Sequence, residues 1–382
     1  MNINKFVCPE VIFGPEALNQ LGECALRLGA TRVLLVTDPG VVEAGWVDLA
    51  SAHLEECGLE YRIWAGVTAN PKDFEVHRGA KLYQEAECDA LVAIGGGSPI
   101  DAAKAISILV SNGGVISDYE GVDRISNPLP PMIVASSTAG SGSEVSQFSV
   151  IVDTTRKIKM TIISRSLIPD IAIIDPLLLM TKNPQLTANT GMDALTHAIE
   201  AYLSVAATPL TDIQVLNSMR LIAGNLRKSV ASRSDLAAKE AMAMASLQAG
   251  LAFSNAILGA VHAMTHQLGG LLDMPHGEAN AILLPYVMDF NFIAAVDKYI
   301  EIARAFGEPL DGLSKREAAH RAIVAVRQLA DDIGIPKRLS EVGLQEDVVP
   351  QLSASAVKDA CLITNPRDAS VADLEAIFRK AL

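Results

Sequence analysis

Through residue 182 the sequence alternates short apolar runs with helical patterns, and from Pro184 onward the short runs give way to long helical stretches. The runs at 32–37 and 90–94 carry no polar alternation and end at turn residues, Asp38-Pro39-Gly40 and Gly95-Gly96-Gly97. That pattern marks strands buried on both faces. Helical patterns at 17–28, 47–57 and 74–87 separate them. The β-α-β-α order predicts a largely parallel sheet with helices on its faces. Further strands are expected at 6–8, 11–13, 60–64, 131–135, 148–153 and 171–175. Helices are expected at 191–203, 211–229, 235–253, 256–269 and 285–294, with more beyond. The fold class is thus an α/β N-terminal domain, 1–183, followed by an all-α C-terminal domain, 184–382.

Composition removes several functions. The net charge of −13 argues against a nucleic-acid or anionic-membrane surface. Five widely spaced cysteines without a Cys-x-x-Cys suit free thiols in a reducing cytoplasm. The first residues hold no apolar signal core, and no uninterrupted apolar run approaches the ~18 residues of a membrane span. The apolar stretch at 247–272 nevertheless carries two histidines and reads as a buried helix that takes polar groups inside.

Three of the seven histidines, His262, His266 and His276, fall between Leu258 and Asn280. His262 and His266 stand four apart and share one helix face, and His276 follows Gly269-Gly270 and Pro275, where the chain is expected to turn back. Upstream, Asp193 and His197 repeat the four-residue spacing. One carboxylate with two or three imidazoles suits a divalent transition metal. Either pair alone is weak: Thr190 and Asp193 could form a capping box, and His266 could be a satisfied core histidine. Spacing does not choose between His262 and His266.

The stretch from Ala90 to Lys104 reads strand, Gly95-Gly96-Gly97, then helix. Three glycines at the carboxyl end of a buried strand let a phosphate approach the backbone, beside free N–H groups of the helix start. Ser98 is expected as N-cap, Pro99 at the first helical position and Asp101 in a capping box. Ile100 stands where a G-x-G-x-x-G fingerprint needs its third glycine. Asp38 can accept hydrogen bonds from ribose hydroxyls and repel a 2′-phosphate, which favours NAD over NADP, or it can simply form the turn. The loop Ser136-Ser137-Thr138-Ala139-Gly140-Ser141-Gly142-Ser143-Glu144 follows another strand and can line the pyrophosphate and nicotinamide ribose.

Taken together, Gly95-Gly96-Gly97-Ser98-x-x-Asp101-x-x-Lys104, Thr138 to Glu144, Gly191-Met192-Asp193-Ala194-Leu195-Thr196-His197-Ala198-x-Glu200, His262-Ala263-Met264-x-His266, Pro275-His276-Gly277 and Thr364-Asn365-Pro366-Arg367 resemble the iron-containing (group III) alcohol dehydrogenases. The likeness spans essentially the whole chain; glycerol dehydrogenases and dehydroquinate synthases are looser relatives. It implies a cleft between a dinucleotide domain and a helical domain. It implies Asp193, His197, His262 and His276 as metal ligands, Fe(II) first and zinc second, with His266 beside nicotinamide and substrate as a candidate proton relay. It places Asp38, Asn70, Gly97, Ser98, Thr138, Ser141 and Lys159 around NAD, next to Gly96 and Ser137 of the two loops. Phe148 stands where some members offer asparagine to the nicotinamide side. Ser136-Ser137 and Ser141 replace Pro-Thr and Thr, and Lys182-Asn183-Pro184 replaces a more apolar turn.

The expected reaction is reversible oxidation of a small primary alcohol or diol to its aldehyde, with hydride passing to NAD and the metal as Lewis acid. The alternative is a hydroxyacid–oxoacid transhydrogenase on the same scaffold, followed by a lyase like dehydroquinate synthase. Small alcohols or aldehydes are the expected partners, and the resemblance suggests a homodimer or higher homo-oligomer.

Overall fold

The computed structural model describes residues 5–382, which fall into two compact units: Val7–Thr181, and Lys182–Leu382 together with residues 5 and 6. The first unit runs β1 (Glu10–Phe13), α1 (Leu21–Arg27), β2 (Arg32–Val36), α2 (Pro39–Glu43), α3 (Trp46–Glu56), β3 (Glu60–Trp64), α4 (Asp73–Glu85), β4 (Ala90–Gly95), α5 (Gly97–Asn112), β5 (Gly121–Val122), β6 (Met132–Ser136), β7 (Phe148–Asp153), β8 (Ile158–Ile163) and β9 (Ile171–Ile174). Six strands form one sheet in the order β1-β9-β6-β4-β2-β3, all pairs parallel. Every residue of β4 is buried, as a central parallel strand covered on both faces requires. Val33, Leu35, Val92, Ile94, Ile133 and Ile173 pack with Leu21, Val47 and Leu54 of α1 and α3. The alternate residues turn to the other face, where α5 packs on β4.

Register places the functional loops. Gly95 lies opposite Ser136, and Val36 opposite Ala93. The turns after β2, β4 and β6 therefore leave the same, carboxyl edge of the sheet, where ligands bind in open α/β folds. A second sheet, β5-β8-β7, pairs Phe148 with Ile163 and Asp153 with Ile158. It contains β8, which sequence periodicity did not suggest. Residues 6–8 form no strand: Pro9 has no N–H to give a ladder, and pairing starts at Glu10.

The second unit is helical: α6 (Pro184–Leu203), α7 (Pro209–Ala231), α8 (Leu236–Ala256), α9 (Ala260–Leu272), α10 (His276–Asn291), α11 (Val296–Ala305), α12 (Lys315–Asp332), α13 (Val349–Ala356) and α14 (Val371–Ala381). The unit takes in Lys182, and its first helix starts at Pro184. Asn183 caps α6, accepting the Leu186 N–H at 2.7 Å, and Pro184 takes the first helical position. The apolar stretch at 247–272 is two helices meeting at 100°, with Ile257 at φ 62° between them. Among the described residues no single helix is long and apolar enough to cross a membrane.

Helices α1 and α3 approach so closely that a Cβ at Gly22 would lie 2.3 Å from the His53 carbonyl oxygen. Backbone cannot yield as a side chain can, so Gly22→Ala is expected to cost about 2 kcal/mol. Urea unfolding measures it; an unchanged midpoint would contradict this packing.

Candidate metal centre and dinucleotide loops

Three helices bring four donors together. Asp193 and His197 face one way from α6, and both are buried. Thr190 returns its hydroxyl to the Leu186 carbonyl at 2.8 Å, so Thr190 and Asp193 form no capping box. His262 comes from the first turn of α9. His276 is the first residue of α10, not part of a loop: Gly269-Gly270 lies within α9, and the chain reverses at Asp273, φ 52°, and Pro275. Gly277 lets α10 sit on α6, since a Cβ there would stand 2.6 Å from the Asn189 carbonyl.

Asp193 Oδ1 lies 4.0 Å from His197 Nε2, 4.0 Å from His262 Nε2 and 3.8 Å from His276 Nε2. One ligand atom from each of the four residues falls within 4.8 Å of all the others. A tetrahedral site with arms of ~2.1 Å has edges of ~3.4 Å, so the three Asp193 edges lie within about 0.6 Å of that geometry. The rings are layered: Phe253 stacks on His197 at 4.4 Å, and His197 on His262 at 4.6 Å. The His276 side chain, 28% exposed, marks the accessible side.

The donor set fits a cation in its protonation as well. Asn280 Nδ2 sits 2.6 Å from Asp193 Oδ1, 3.1 Å from His262 Nε2 and 3.2 Å from His276 Nε2. The amide has two N–H groups for these three neighbours; it donates to the carboxylate oxygen, and an imidazole nitrogen that accepts the other offers a metal the same lone pair. Among the described residues the buried Asn280 Oδ1 has no hydrogen-bond partner. Burial first, then the neighbouring His197, holds His262 well below the usual histidine range, hence neutral.

Glu200 organises the start of α9. That helix has no side-chain cap of its own. Glu200 Oε1 accepts the Val261 N–H at 2.6 Å, and Oε2 accepts His262 N–H at 3.4 Å and lies 2.6 Å from His262 Nδ1. Asn365 Oδ1 accepts the Ala260 N–H at 3.1 Å. With Nδ1 bonded to the carboxylate, Nε2 is left to face the other donors. Burial pushes the Glu200 carboxyl up to about 7, against the backbone N–H groups.

His266 is not among the four. Its Nδ1 lies 2.9 Å from Asp359 Oδ2, and its ring stacks on His276 at 5.6 Å. The choice between His262 and His266, which spacing left open, is therefore made by the direction of α9.

The α/β unit places the remaining residues. Gly96 is the N-cap of α5, and Ser98 falls inside the helix rather than capping it, because the chain turns at Gly95, φ 158°, one step earlier. A Cβ at Gly96 would meet Thr138 at 3.2 Å, and one at Gly97 would meet Ser141 at 3.0 Å. The glycine turn thus lies directly against the hydroxyl loop. Ser137 donates its N–H to the Gly95 carbonyl at 2.7 Å, while its buried Oγ has no partner. Asp101 makes no capping box either; its Oδ2 accepts the Val150 N–H at 3.1 Å. Lys104, fully buried, donates to the carbonyls of Ser143 at 2.7 Å, Ser146 at 2.7 Å and Phe148 at 2.9 Å, pinning the loop's exit. Burial lowers this ammonium to about 8 and raises the Asp101 carboxyl to about 6.

Asp38 caps α2, with Oδ1 accepting the Val41 N–H at 3.0 Å, so it forms the turn whatever else it does. Asn70 is held at φ 52° just before Pro71, whose carbonyl accepts the Val152 N–H at 2.8 Å. Lys159 lies opposite Val152 on β8, and Phe148 is buried at the start of β7. Asn70 and Lys159 therefore both lie near Val152, while Phe148 stands four residues away at the other end of β7. Glu200, Asn280 and Asp359 were not singled out from the sequence. Glu200 and Asn280 had a signal, one being a turn beyond His197 and the other four residues after His276. Asp359, far along the chain, had none.

A carboxylate and three imidazoles converging in a helical unit, with glycine and hydroxyl loops on a parallel sheet, define a metal-dependent dehydrogenase architecture. The family model for iron-containing alcohol dehydrogenase matches residues 8–176, and that for the family's C-terminal part matches 187–382. The chain is 46% identical over 379 residues to 1,3-propanediol dehydrogenase of Klebsiella pneumoniae, covering 98% of each. It is 41% identical over 379 residues to NAD-dependent methanol dehydrogenase of Bacillus methanolicus, covering 99% of this chain and 100% of that one. A solved 1,3-propanediol oxidoreductase superposes with a TM-score of 0.98 at 46% identity over 100% of both chains. An alcohol dehydrogenase from Oenococcus oeni superposes with a TM-score of 0.97 at 38% identity, also over 100% of both. The chain belongs to the iron-containing alcohol dehydrogenase family.

Replacing Glu200 with Gln exchanges one of its two acceptor oxygens for an NH₂ donor, so the Val261 N–H and His262 Nδ1 can no longer both be served. Metal affinity is expected to fall roughly 10- to 100-fold, read by equilibrium dialysis with metal analysis. Unchanged affinity would show that His262 needs no such partner.

Proposed function

We propose that the protein interconverts a small primary alcohol or diol and its aldehyde, with NAD as hydride carrier and a divalent metal held by Asp193, His197, His262 and His276. The observation that carries this reading is the convergence of those four donors within 4.8 Å. When bound, the metal supplies Lewis acidity that eases loss of the alcohol proton, and NAD takes the hydride at its nicotinamide. The family's name favours iron, though an all-nitrogen-and-oxygen donor set accepts zinc as well.

The chain's own residues do the rest. Glu200 fixes the His262 tautomer. Gly96, Gly97 and Ser98 offer backbone N–H groups and the start of α5 to a pyrophosphate. Ser137, Thr138 and Ser141 supply hydroxyls against that turn. Asp38 keeps one carboxylate oxygen for ribose hydroxyls, and its charge disfavours a 2′-phosphate. Asn70, Phe148 and Lys159 are assigned to the nicotinamide side, and His266 to the substrate's proton. Relatives named for 1,3-propanediol, methanol and lactaldehyde suggest a short, unbranched or hydroxylated substrate. No residue here favours the transhydrogenase reading. A cytoplasmic homodimer that binds neither nucleic acid nor membrane completes the proposal; light scattering tests the dimer.

A panel of 1,3-propanediol, methanol, ethanol, butanol and lactaldehyde, run with NAD and NADP, tests the reading. Activity is expected with NAD, to vanish on chelation and to return with Fe(II). His276→Ala is expected to lose activity by roughly 100-fold or more; full activity in that variant would refute the site. Asp38→Ser is expected to narrow the preference for NAD over NADP in kcat/KM by roughly tenfold, and an unaltered ratio would remove Asp38 from the ribose.

A further inference from the structure

Two of the four donors are each held from behind by one buried side chain. Glu200 holds the His262 ring, and Asn280 holds the Asp193 carboxylate. Asn280 lies one turn into α10, four residues after His276, and is fully buried. Helix α10 runs close against α6 here, for a Cβ at Gly277 would stand 3.4 Å from the Asp193 Cβ. The amide therefore reaches across the helix pair that carries three of the ligands, His276 on one side and Asp193 with His197 on the other.

The Asp193 carboxylate turns about an sp³–sp² torsion, which is broad and two-fold. Its rotamer alone does not decide which oxygen meets the imidazoles. Among the described residues its only hydrogen bond comes from Asn280 Nδ2, 2.6 Å from Oδ1. An amide carbonyl could not take that place, because two acceptor oxygens so close would repel. The oxygen that receives the N–H is also the one 3.8 to 4.0 Å from His197, His262 and His276 Nε2. A carboxylate oxygen has two lone pairs. The amide takes one on Oδ1, and the other is left for a cation.

We propose that Asn280 is a positioning residue for Asp193: its N–H fixes the carboxylate so that Oδ1 alone faces the cation. The inference rests on the metal-dependent reading above. A carboxylate freed from this contact rotates, and the ion itself must then order it. Affinity falls, and the geometry around the ion is no longer set by the protein. Asn280 thus does for the one acidic ligand what Glu200 does for one of the imidazoles, through a donor where Glu200 uses an acceptor.

Asn280→Ala tests this with zinc by equilibrium dialysis, and with cobalt(II) by visible absorption, which responds to coordination number and symmetry. Zinc affinity is expected to fall roughly 10- to 100-fold, and the cobalt spectrum to change in intensity. D193A and the double variant D193A/N280A separate action through Asp193 from a general loosening of α10 on α6. Once the carboxylate is gone Asn280 has nothing to position, so the double variant is expected to bind zinc within about twofold of D193A.

Wild-type zinc affinity and an unchanged cobalt spectrum in N280A overturn the proposal. So does a double variant that loses as much again relative to D193A as N280A loses relative to the wild type. If N280A fails to fold, a crystal structure of the zinc-loaded wild type decides. Nδ2 within hydrogen-bond reach of the ligating Asp193 oxygen supports the assignment. An Asn280 atom within ~2.3 Å of the ion makes that residue a ligand and overturns it. A wild type that binds neither zinc nor cobalt at these residues sinks the parent reading and the proposal with it, whereas metal-dependent alcohol oxidation with an unaffected N280A removes Asn280 alone.

Discussion

One buried carboxylate joins the parts of the helical unit that matter. Glu200 leaves α6 one turn after His197 and ends on the opening turn of α9, at Val261 and His262. A helix start carries unsatisfied N–H groups and a partial positive charge, and an anion there is favourable. Here the same anion also reaches the ring of a ligand. Removing it leaves the start of α9 with only the Asn365 contact to Ala260, and His262 without a fixed orientation. Gly259 is the condition for the contact, since a Cβ would lie 2.9 Å from both Glu200 Oε1 and Asn365 Oδ1.

The α/β unit solves a parallel problem with a cation. The loop after β6 must run close to the glycine turn without regular structure to hold it. Lys104 does this from inside α5, saturating its three protons with the loop's carbonyls and leaving none for a ligand. It lies seven residues after Gly97 in the helix that follows the glycine turn, and the geometry assigns it to the scaffold. In both units a buried charge is spent on backbone groups of an irregular segment, where it is fully hydrogen-bonded.

Much of this was legible because it depends on periodicity and on residue types with few alternatives. The buried runs at β2 and β4 could only be inner strands, and four-residue spacings put Asp193 with His197 on one face. Other features depend on contacts that no local pattern encodes. Ser98 is a good cap by composition, but the helix begins earlier because Gly95 and Gly96 take the turn. Gly269-Gly270 looks like a break, yet α9 continues to Leu272, since only Asp273 and Pro275 stop it. Of Lys182-Asn183-Pro184, which replaces a more apolar turn, Asn183 is the cap and Pro184 the first residue of α6. Asp359 stands 93 residues from His266, and nothing short of the tertiary fold brings them together.

The wide separation of the ligands along the chain has a consequence for endurance under heat. Asp193 and His276 enclose three whole helices, α7, α8 and α9, so an ion among them acts as a clasp on a long loop. A folded state that holds metal while the unfolded chain does not is stabilised by mass action in proportion to the logarithm of free metal. The melting temperature of such a protein is then set partly by its surroundings: starved of metal, the same polypeptide becomes the more fragile one.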